Sequence, residues 1–404
     1  MRAIQKVVII GGGTMGADLA ALMLQRRKSV VVKEVSKELA ERVKNNLYRR
    51  MDGWKQGGRI SDSDVQTMKE LLAVTDNYQD LQDEGLLVIE AVPENIELKQ
   101  RIFAELEEKL PQDAIFSSNT SSLPITLLAA NMKDTSRLIG LHFFNPPTKM
   151  PLVEVISSRY SSDEVVESVE RFAKKTLQKT TIRVKDCPGF LVNRLLLPYL
   201  NEAAMLLTET DITPEAIDAE SKKFGWPMGP FVLMDFLGID VCAEVAKFMH
   251  VSYGERAEPA PLLNTLVKLN RFGAKTGNVG FYGGEPLINI LNQEFPHRNQ
   301  KTITAKDSFN RMMMGMVNEA FHCLGEGVSS AQDIDTGSML GIGFPMTYDG
   351  VLHWAENEKG LAEIADALLT LSTSCGSRFL PVEYLVNCVI ERKKIFEKTE
   401  ENEW

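Results

Sequence analysis

The stretch Lys6-Val7-Val8-Ile9-Ile10-Gly11-Gly12-Gly13-Thr14-Met15-Gly16 decides the fold. Its first half is a short apolar run closed by glycine, the pattern of a strand buried on both faces. Its second half fits GxGxxG and opens into residues 17–25, which have helical composition. Alone, the glycine pattern says little. Set between a strand and a helix, it implies a cradle for the pyrophosphate of a dinucleotide. Gly11 permits the tight turn, Gly13 lets backbone amides approach the phosphates, and Gly16 lets the helix pack on the strand. Thr14 and Met15 complete the turn, and the helix N-terminus stabilises negative charge there.

Moving outward, further apolar runs occupy residues 30–33, 86–90, 114–117, 136–141 and 152–156. Helical segments separate them, so the expected fold is a parallel sheet with helices on both faces, an α/β Rossmann domain over residues 1–185. Residues 36–72 are charged and helical around Gly57-Gly58, which reads as an inserted helical hairpin. Its basic residues include Arg49, Arg50, Lys55 and Arg59. They form either a solvated face or a site for the phosphates of a large substrate, with Arg50 and Lys55 as candidate ligands.

At Asp186-Cys187-Pro188-Gly189 the pattern changes, and beyond it the chain reads as helical with turn-rich breaks. An internal repeat runs through this half. Arg194 precedes Asn201-Glu202-Ala203 at the same spacing as Arg311 precedes Asn318-Glu319-Ala320. Ile217-Asp218 returns as Ile334-Asp335, and Gly225-Trp226-Pro227-Met228 as Gly343-Phe344-Pro345-Met346. Two similar all-α domains are therefore expected, over 186–284 and 306–404.

The chain has 404 residues, long enough for two or three domains, with 44% hydrophobic and 25% charged residues. The formal net charge of −10 argues against non-specific binding to nucleic acid or an anionic membrane. The five cysteines are scattered and form no CxxC pair, so neither a disulfide framework nor a metal site is expected. No apolar run approaches the roughly 18 residues of a membrane span. The N-terminus runs into the first strand without the pattern of a signal peptide. A cytoplasmic location is the default expectation.

Glu34, at the end of the second run, can accept the ribose hydroxyls of an adenosine half and would repel a 2′-phosphate. NAD is expected over NADP, although Lys33 next door works against that preference. Ligands of open α/β sheets sit at the carboxyl ends of strands. Two polar clusters fall there, Glu90 to Glu94 with Lys99 following, and Ser117 to Ser122. His142 follows an apolar run, where an imidazole can take the proton of an alcohol as hydride leaves the carbon. Such a base needs a carboxylate to orient it, and Glu154 is the nearest strand carboxylate in sequence. A structural histidine beside aromatic residues is an equally good reading of the residues alone.

The motifs GGGTMG (11–16), EAVPENIELK (90–99), SSNTSSLPIT (117–126), GLHFFNPPTKMPLVEVI (140–156), KDCPGFLVNRLLLPYLNEA (185–203), FGWPMGP (224–230) and NRFGAKTG (270–277) together resemble the L-3-hydroxyacyl-CoA dehydrogenase family. The repeated C-terminal unit is similar to the dehydrogenase half of multifunctional fatty-acid oxidation α chains. The resemblance implies oxidation of an (S)-3-hydroxyacyl-CoA to the 3-oxoacyl-CoA with NAD⁺, or the reverse. It implies His142 as general base and Glu154 as its orienting partner. Ser121 and Asn193 would bind the substrate oxygen or its neighbours. Glu94, Lys99, Ser121, Asn145 and Lys275 would line the cofactor. After Gly277 the sequence departs from the family with one extra residue before Phe281-Tyr282. A monomer is expected, with a homodimer as the alternative, and a thiolase or hydratase partner is an open option. The competing functions are a dehydrogenase of a non-CoA 3-hydroxy acid and a non-catalytic, crystallin-like dinucleotide-binding protein.

Overall fold

The computed structural model describes residues 4–298 and 301–396. Residues 397–404 of the expected second helical domain lie outside the described residues. The chain divides into two compact units between Phe190 and Leu191.

The first unit runs β1 (Lys6–Ile10), α1 (Thr14–Gln25), β2 (Val30–Lys33), α2 (Lys37–Gln56), α3 (Asp62–Leu71), β3 (Leu72–Thr75), β4 (Leu86–Glu90), α4 (Ile96–Lys109), β5 (Ile115–Ser118), α5 (Ile125–Leu128), β6 (Leu138–Phe143), β7 (Leu152–Ser157), α6 (Asp163–Arg171) and β8 (Thr180–Lys185). The strands form one sheet in the order β3-β2-β1-β4-β5-β6-β7-β8. The chain order reverses at β1, between β2 and β4. That is the switch point at which such sheets open a crevice for ligands. The β1 and β4 strands are buried on both faces, as their β-branched composition requires.

Two features depart from the expected parallel sheet. β7 runs antiparallel to β6, because the short connection between them allows a return but no crossover. The sheet also contains β3 and β8, which the apolar runs do not reveal. Both lie at sheet edges and carry exposed residues, Ala73 in one and Thr180, Arg183 and Lys185 in the other.

Each helix of the hairpin is started by a serine. Ser36 accepts from the Leu39 N–H, and Ser61 forms a capping box with Asp64. The division between the units falls slightly beyond the expected boundary at Asp186. The Asp186 carboxylate accepts from the backbone N–H groups of Ile125 and Thr126 at 2.7 Å each, which holds it to the first unit.

The second unit is helical: α7 (Val192–Glu209), α8 (Pro214–Phe224), α9 (Pro230–Leu237), α10 (Ile239–Tyr253), α11 (Pro261–Lys268), α12 (Leu287–Glu294), α13 (Ala305–Gly325), α14 (Ala331–Ile342), α15 (Val351–His353), α16 (Leu361–Cys375) and α17 (Glu383–Glu391). The repeats seen in sequence pack on each other through α7 and α13, and each completes the other's charges. Arg194 of α7 pairs with Glu319 and Glu326, which Arg256 also reaches. Arg311 of α13 pairs with Glu202 and Glu209, which Arg378 also reaches. Gly225 lies against Pro345, and Gly343 against Pro227. Asp218 accepts from the first-turn N–H groups of α9, and Asp335 from those of α15. The two copies are thus related by an approximate twofold operation within one compact body. Among the described residues, no helix is long and apolar enough to cross a membrane.

The symmetry breaks at His322, where the first repeat has Met205. Burial, with help from Arg256 and Arg194, pushes this imidazole down to about 4. In the unfolded chain it titrates near about 6.5. As pH falls from 6.5 towards 4, the unfolded state takes up a proton that the folded state refuses, and stability is lost. Asp335 acts in the opposite sense: burial raises it to about 6, so its protonation favours the folded state over the pH range below that. His322→Asn isolates the first effect. We expect the urea midpoint of this variant to fall less between pH 7 and pH 5 than that of the wild type. An identical fall would remove His322 from the account.

Candidate active site

The site is built where the strands end. Gly11 has φ of +92°, a conformation that favours glycine, and turns the chain from β1 towards α1. A Cβ on Gly16 would stand 1.9 Å from the Gly11 carbonyl, so only glycine lets α1 start there. At Gly13 a Cβ position meets nothing within 4 Å, which leaves open space over the turn. The first turn of α1 holds no acidic residue, and no side chain caps it. Thr14 is exposed and Met15 half-buried in that turn. Glu34, beyond β2, accepts from the Gly12 N–H at 2.6 Å. Lys33, the residue that argued against NAD, is turned elsewhere. Its ammonium donates to the Glu34 carbonyl at 2.8 Å and lies over the Tyr78 ring, and burial pulls its pKa down. This cradle fits a dinucleotide: an open helix N-terminus for the pyrophosphate, and a carboxylate beside the glycine turn.

β6 and β7 place the second part. Their antiparallel register puts His142 directly opposite Glu154. His142 Nδ1 lies 2.6 Å from Glu154 Oε2, and both residues are buried. The rings of Phe144 and Phe190 lie 4.7 and 6.1 Å from the imidazole. A buried carboxylate on Nδ1 fixes the tautomer in which Nε2 carries the lone pair. The pair is therefore equipped to accept a proton at Nε2. Asn119 steadies the end of β6, since its Oδ1 accepts from the Phe143 N–H at 2.9 Å. Sequence reasoning did not single it out, although it sits within the polar cluster after β5.

The loops beyond β4 and β5 meet through charge. Lys99 is buried, and its ammonium binds both oxygens of Glu90 at 2.7 and 2.8 Å. It also reaches Glu94 at 3.1 Å. Glu94 Oε1 accepts from the Thr120 hydroxyl and from the Ser121 N–H. Glu94 and the exposed Ser121 thus stand together, while Lys99 braces them from beneath. Asn145 is exposed on the loop after β6.

Arg50 and Lys55 do not form a basic cluster. Arg50 is paired with Asp18 on α1, and Lys55 with Asp62 on α3. Their proposed role towards a phosphorylated substrate would require these pairs to exchange. In the second unit, Asn193 lies in the first turn of α7. Lys275 binds both oxygens of Asp240 at 2.9 and 2.8 Å. The loop around it, with its extra residue, is closed by hydrogen bonds of its own. Gly273 bridges Val279, Asp235 accepts from the Phe281 and Tyr282 N–H groups, and Arg271 donates to three carbonyls.

A doubly wound sheet with a glycine turn at its switch point, and a His–Glu pair at a strand end, defines an NAD-binding oxidoreductase domain. Residues 6–187 match the NAD-binding domain of 3-hydroxyacyl-CoA dehydrogenases, and residues 189–283 and 308–362 match the C-terminal domain of the same enzymes. The chain belongs to the 3-hydroxyacyl-CoA dehydrogenase family. It is 34% identical, over 98% of its length, to a fatty acid oxidation complex subunit alpha of Shewanella amazonensis. It spans only 56% of that relative's length. A 3-hydroxybutyryl-CoA dehydrogenase from Escherichia coli is 27% identical, with a TM-score of 0.85. The match covers 96% of this chain and 98% of that one. An (S)-3-hydroxybutyryl-CoA dehydrogenase from Ralstonia eutropha is 34% identical, with a TM-score of 0.66 over 69% of this chain and 99% of its own.

Proposed function

We propose that the chain oxidises (S)-3-hydroxyacyl-CoA to 3-oxoacyl-CoA with NAD⁺, or runs the reverse reduction, with short-chain substrates such as 3-hydroxybutyryl-CoA included. The observation that carries this reading is the buried pair of His142 and Glu154, matched in register across β6 and β7. When bound, the nicotinamide supplies the hydride acceptor.

The residues do the rest. Glu154 holds the imidazole by Nδ1, so that Nε2 takes the proton of the C3 hydroxyl and returns it in the reverse direction. Ser121 and Asn193 hold the substrate oxygen or its thioester in register. Glu94, Lys99, Asn145 and Lys275 line the cofactor, with Lys99 acting through Glu94. Orientation of this kind accounts for a large part of the rate in a transfer between two bound groups. We assign substrate phosphate contacts to Arg50 and Lys55 once their acidic partners yield. The reciprocal ion pairs of the second unit favour a monomer, because each repeat already meets its complement within the chain. A solution mass of two chains would count against that. A hydratase or thiolase would act beside this chain as a separate activity.

The direct test is the NADH absorbance assay across acyl-CoA chain lengths, with free 3-hydroxybutyrate as the contrast. Turnover of the CoA esters alone is expected, and equal turnover of the free acid would sink the thioester assignment. Glu34 sets the cofactor choice. Hydrogen bonds to a charged group contribute about 1.5–3 kcal/mol, so Glu34→Ala is expected to raise the KM for NAD⁺ by roughly tenfold or more. It should also narrow the gap to NADP⁺. An unchanged preference would show that Glu34 does not read the ribose.

A further inference from the structure

We infer that the carboxylate of Glu90 is a positioning residue that sets where Glu94 and the Ser121 loop stand beside the cofactor crevice. The inference rests on the NAD-dependent reading above. Glu90 ends β4 and is 0% exposed. Its two oxygens receive four hydrogen bonds: two from Lys99, one from the Ser118 hydroxyl at 2.5 Å, and one from the Val92 N–H at 2.7 Å. An ammonium has three hydrogens to give. Two go to Glu90, and the third has Glu94 at 3.1 Å and the Val92 carbonyl at 3.4 Å within reach. Glu94 in turn holds the Thr120 hydroxyl and the Ser121 N–H. The Glu90 carbonyl also accepts from the Asn119 N–H, and Asn119 holds Phe143 beside His142. The buried carboxylate therefore ties the ends of β4 and β5 to Lys99, while the carbonyl of the same residue reaches the end of β6 through Asn119.

The arrangement is more than a counterion for Lys99. A buried ion pair is weak evidence for stability, since apolar residues of the same volume often serve as well. What the pair supplies here is geometry. With Glu90 neutral, Glu94 is the one carboxylate left in contact with Lys99, beside the Val92 carbonyl. The Glu94 carboxylate is then drawn inward, away from Thr120 and Ser121.

Glu90→Gln keeps the size and removes the charge. NADH binding, read by fluorescence without any acyl substrate, is expected to weaken roughly tenfold in the folded variant. In the acetoacetyl-CoA assay the KM for NADH should rise by a similar factor, while kcat falls far less than in His142→Gln, because His142 and Glu154 are untouched and only the Ser121 loop shifts. A merely structural role would lower the folded fraction and hence kcat, and leave the KM alone. Ser118→Ala, which removes one donor to Glu90, gives a second and milder case if Glu90→Gln does not fold. It should weaken NADH binding about threefold. Wild-type NADH affinity in folded Glu90→Gln, or in Ser118→Ala, would overturn the inference. A wild-type chain that binds NADH but is inactive on acetoacetyl-CoA would instead sink the proposed reaction, and the binding shift would still report on Glu90.

Discussion

His142→Gln is expected to lower the turnover of acetoacetyl-CoA with NADH by about 10²–10⁴-fold, the range contributed by a positioned general acid or base. The amide fills much the same space and can still accept or donate a hydrogen bond to Glu154, but it cannot hold the transferred proton. NADH binding should be unchanged, because the glycine turn and Glu34 lie on other strands of the sheet. Glu154→Gln should fall in the same direction. It leaves His142 in place but removes the charge that stabilises the imidazolium formed in the reaction. Stopped-time NADH assays and fluorescence titrations measure both quantities. If His142→Gln kept a rate near that of the wild type, the histidine would be structural and the proposed mechanism wrong.

Arg194→Met is expected to destabilise the second unit by about 3–5 kcal/mol, the usual result of removing one member of a buried pair. Arg194 is 0% exposed, and Glu319, which burial already pushes towards its neutral form, would keep only the more distant Arg256. Arg311→Met should cost less, because Glu202 keeps Arg378, whose guanidinium binds both of its oxygens at 2.9 and 3.2 Å. The comparison of the two is informative. Matched losses in urea midpoint would show that the repeats are energetically as well as geometrically equivalent. A loss below about 1 kcal/mol for either would mean that the network relaxes around the missing guanidinium.

Sequence patterning revealed those parts of the fold that depend on burial. β1 and β4 are continuous apolar runs because both of their faces are covered. β3 and β8 are edge strands with exposed residues, so composition alone did not separate them from loops. Strand direction is invisible in an apolar run, which is why the antiparallel β7 came only with the structure. The glycine turn and Glu34 were legible because their chemistry is local. His142 and Glu154 were legible as residue types, but residue patterning alone left His142 even between base and packing residue. The resemblance raised it, and the 2.6 Å contact shows the two side chains together. Glu90 was seen only as part of a polar cluster. Its tie to Lys99 depends on how α4 lies over the end of β4, which no spacing rule provides. The partners of Arg256 and Arg378 were hidden for a related reason. The second copy is longer from α14 to α16 than the first is from α8 to α10, so these arginines fall out of the register set by Arg194 and Arg311.

The hairpin of β6 and β7 bears on which changes this chain can absorb. Side chains alternate faces along a strand, so a one-residue slip carries every group to the opposite side. Losing a residue between Leu152 and Glu154 would swing the carboxylate away from His142, whatever replaced it. Residues 144–151 lie outside both strands and are under no such constraint. Length changes there should spare the pairing, whereas indels within the strand should abolish it. Variation among active descendants of this chain is therefore expected to spare Phe144 and Asn145, to collect in the loop beyond them and to stop abruptly at Leu152.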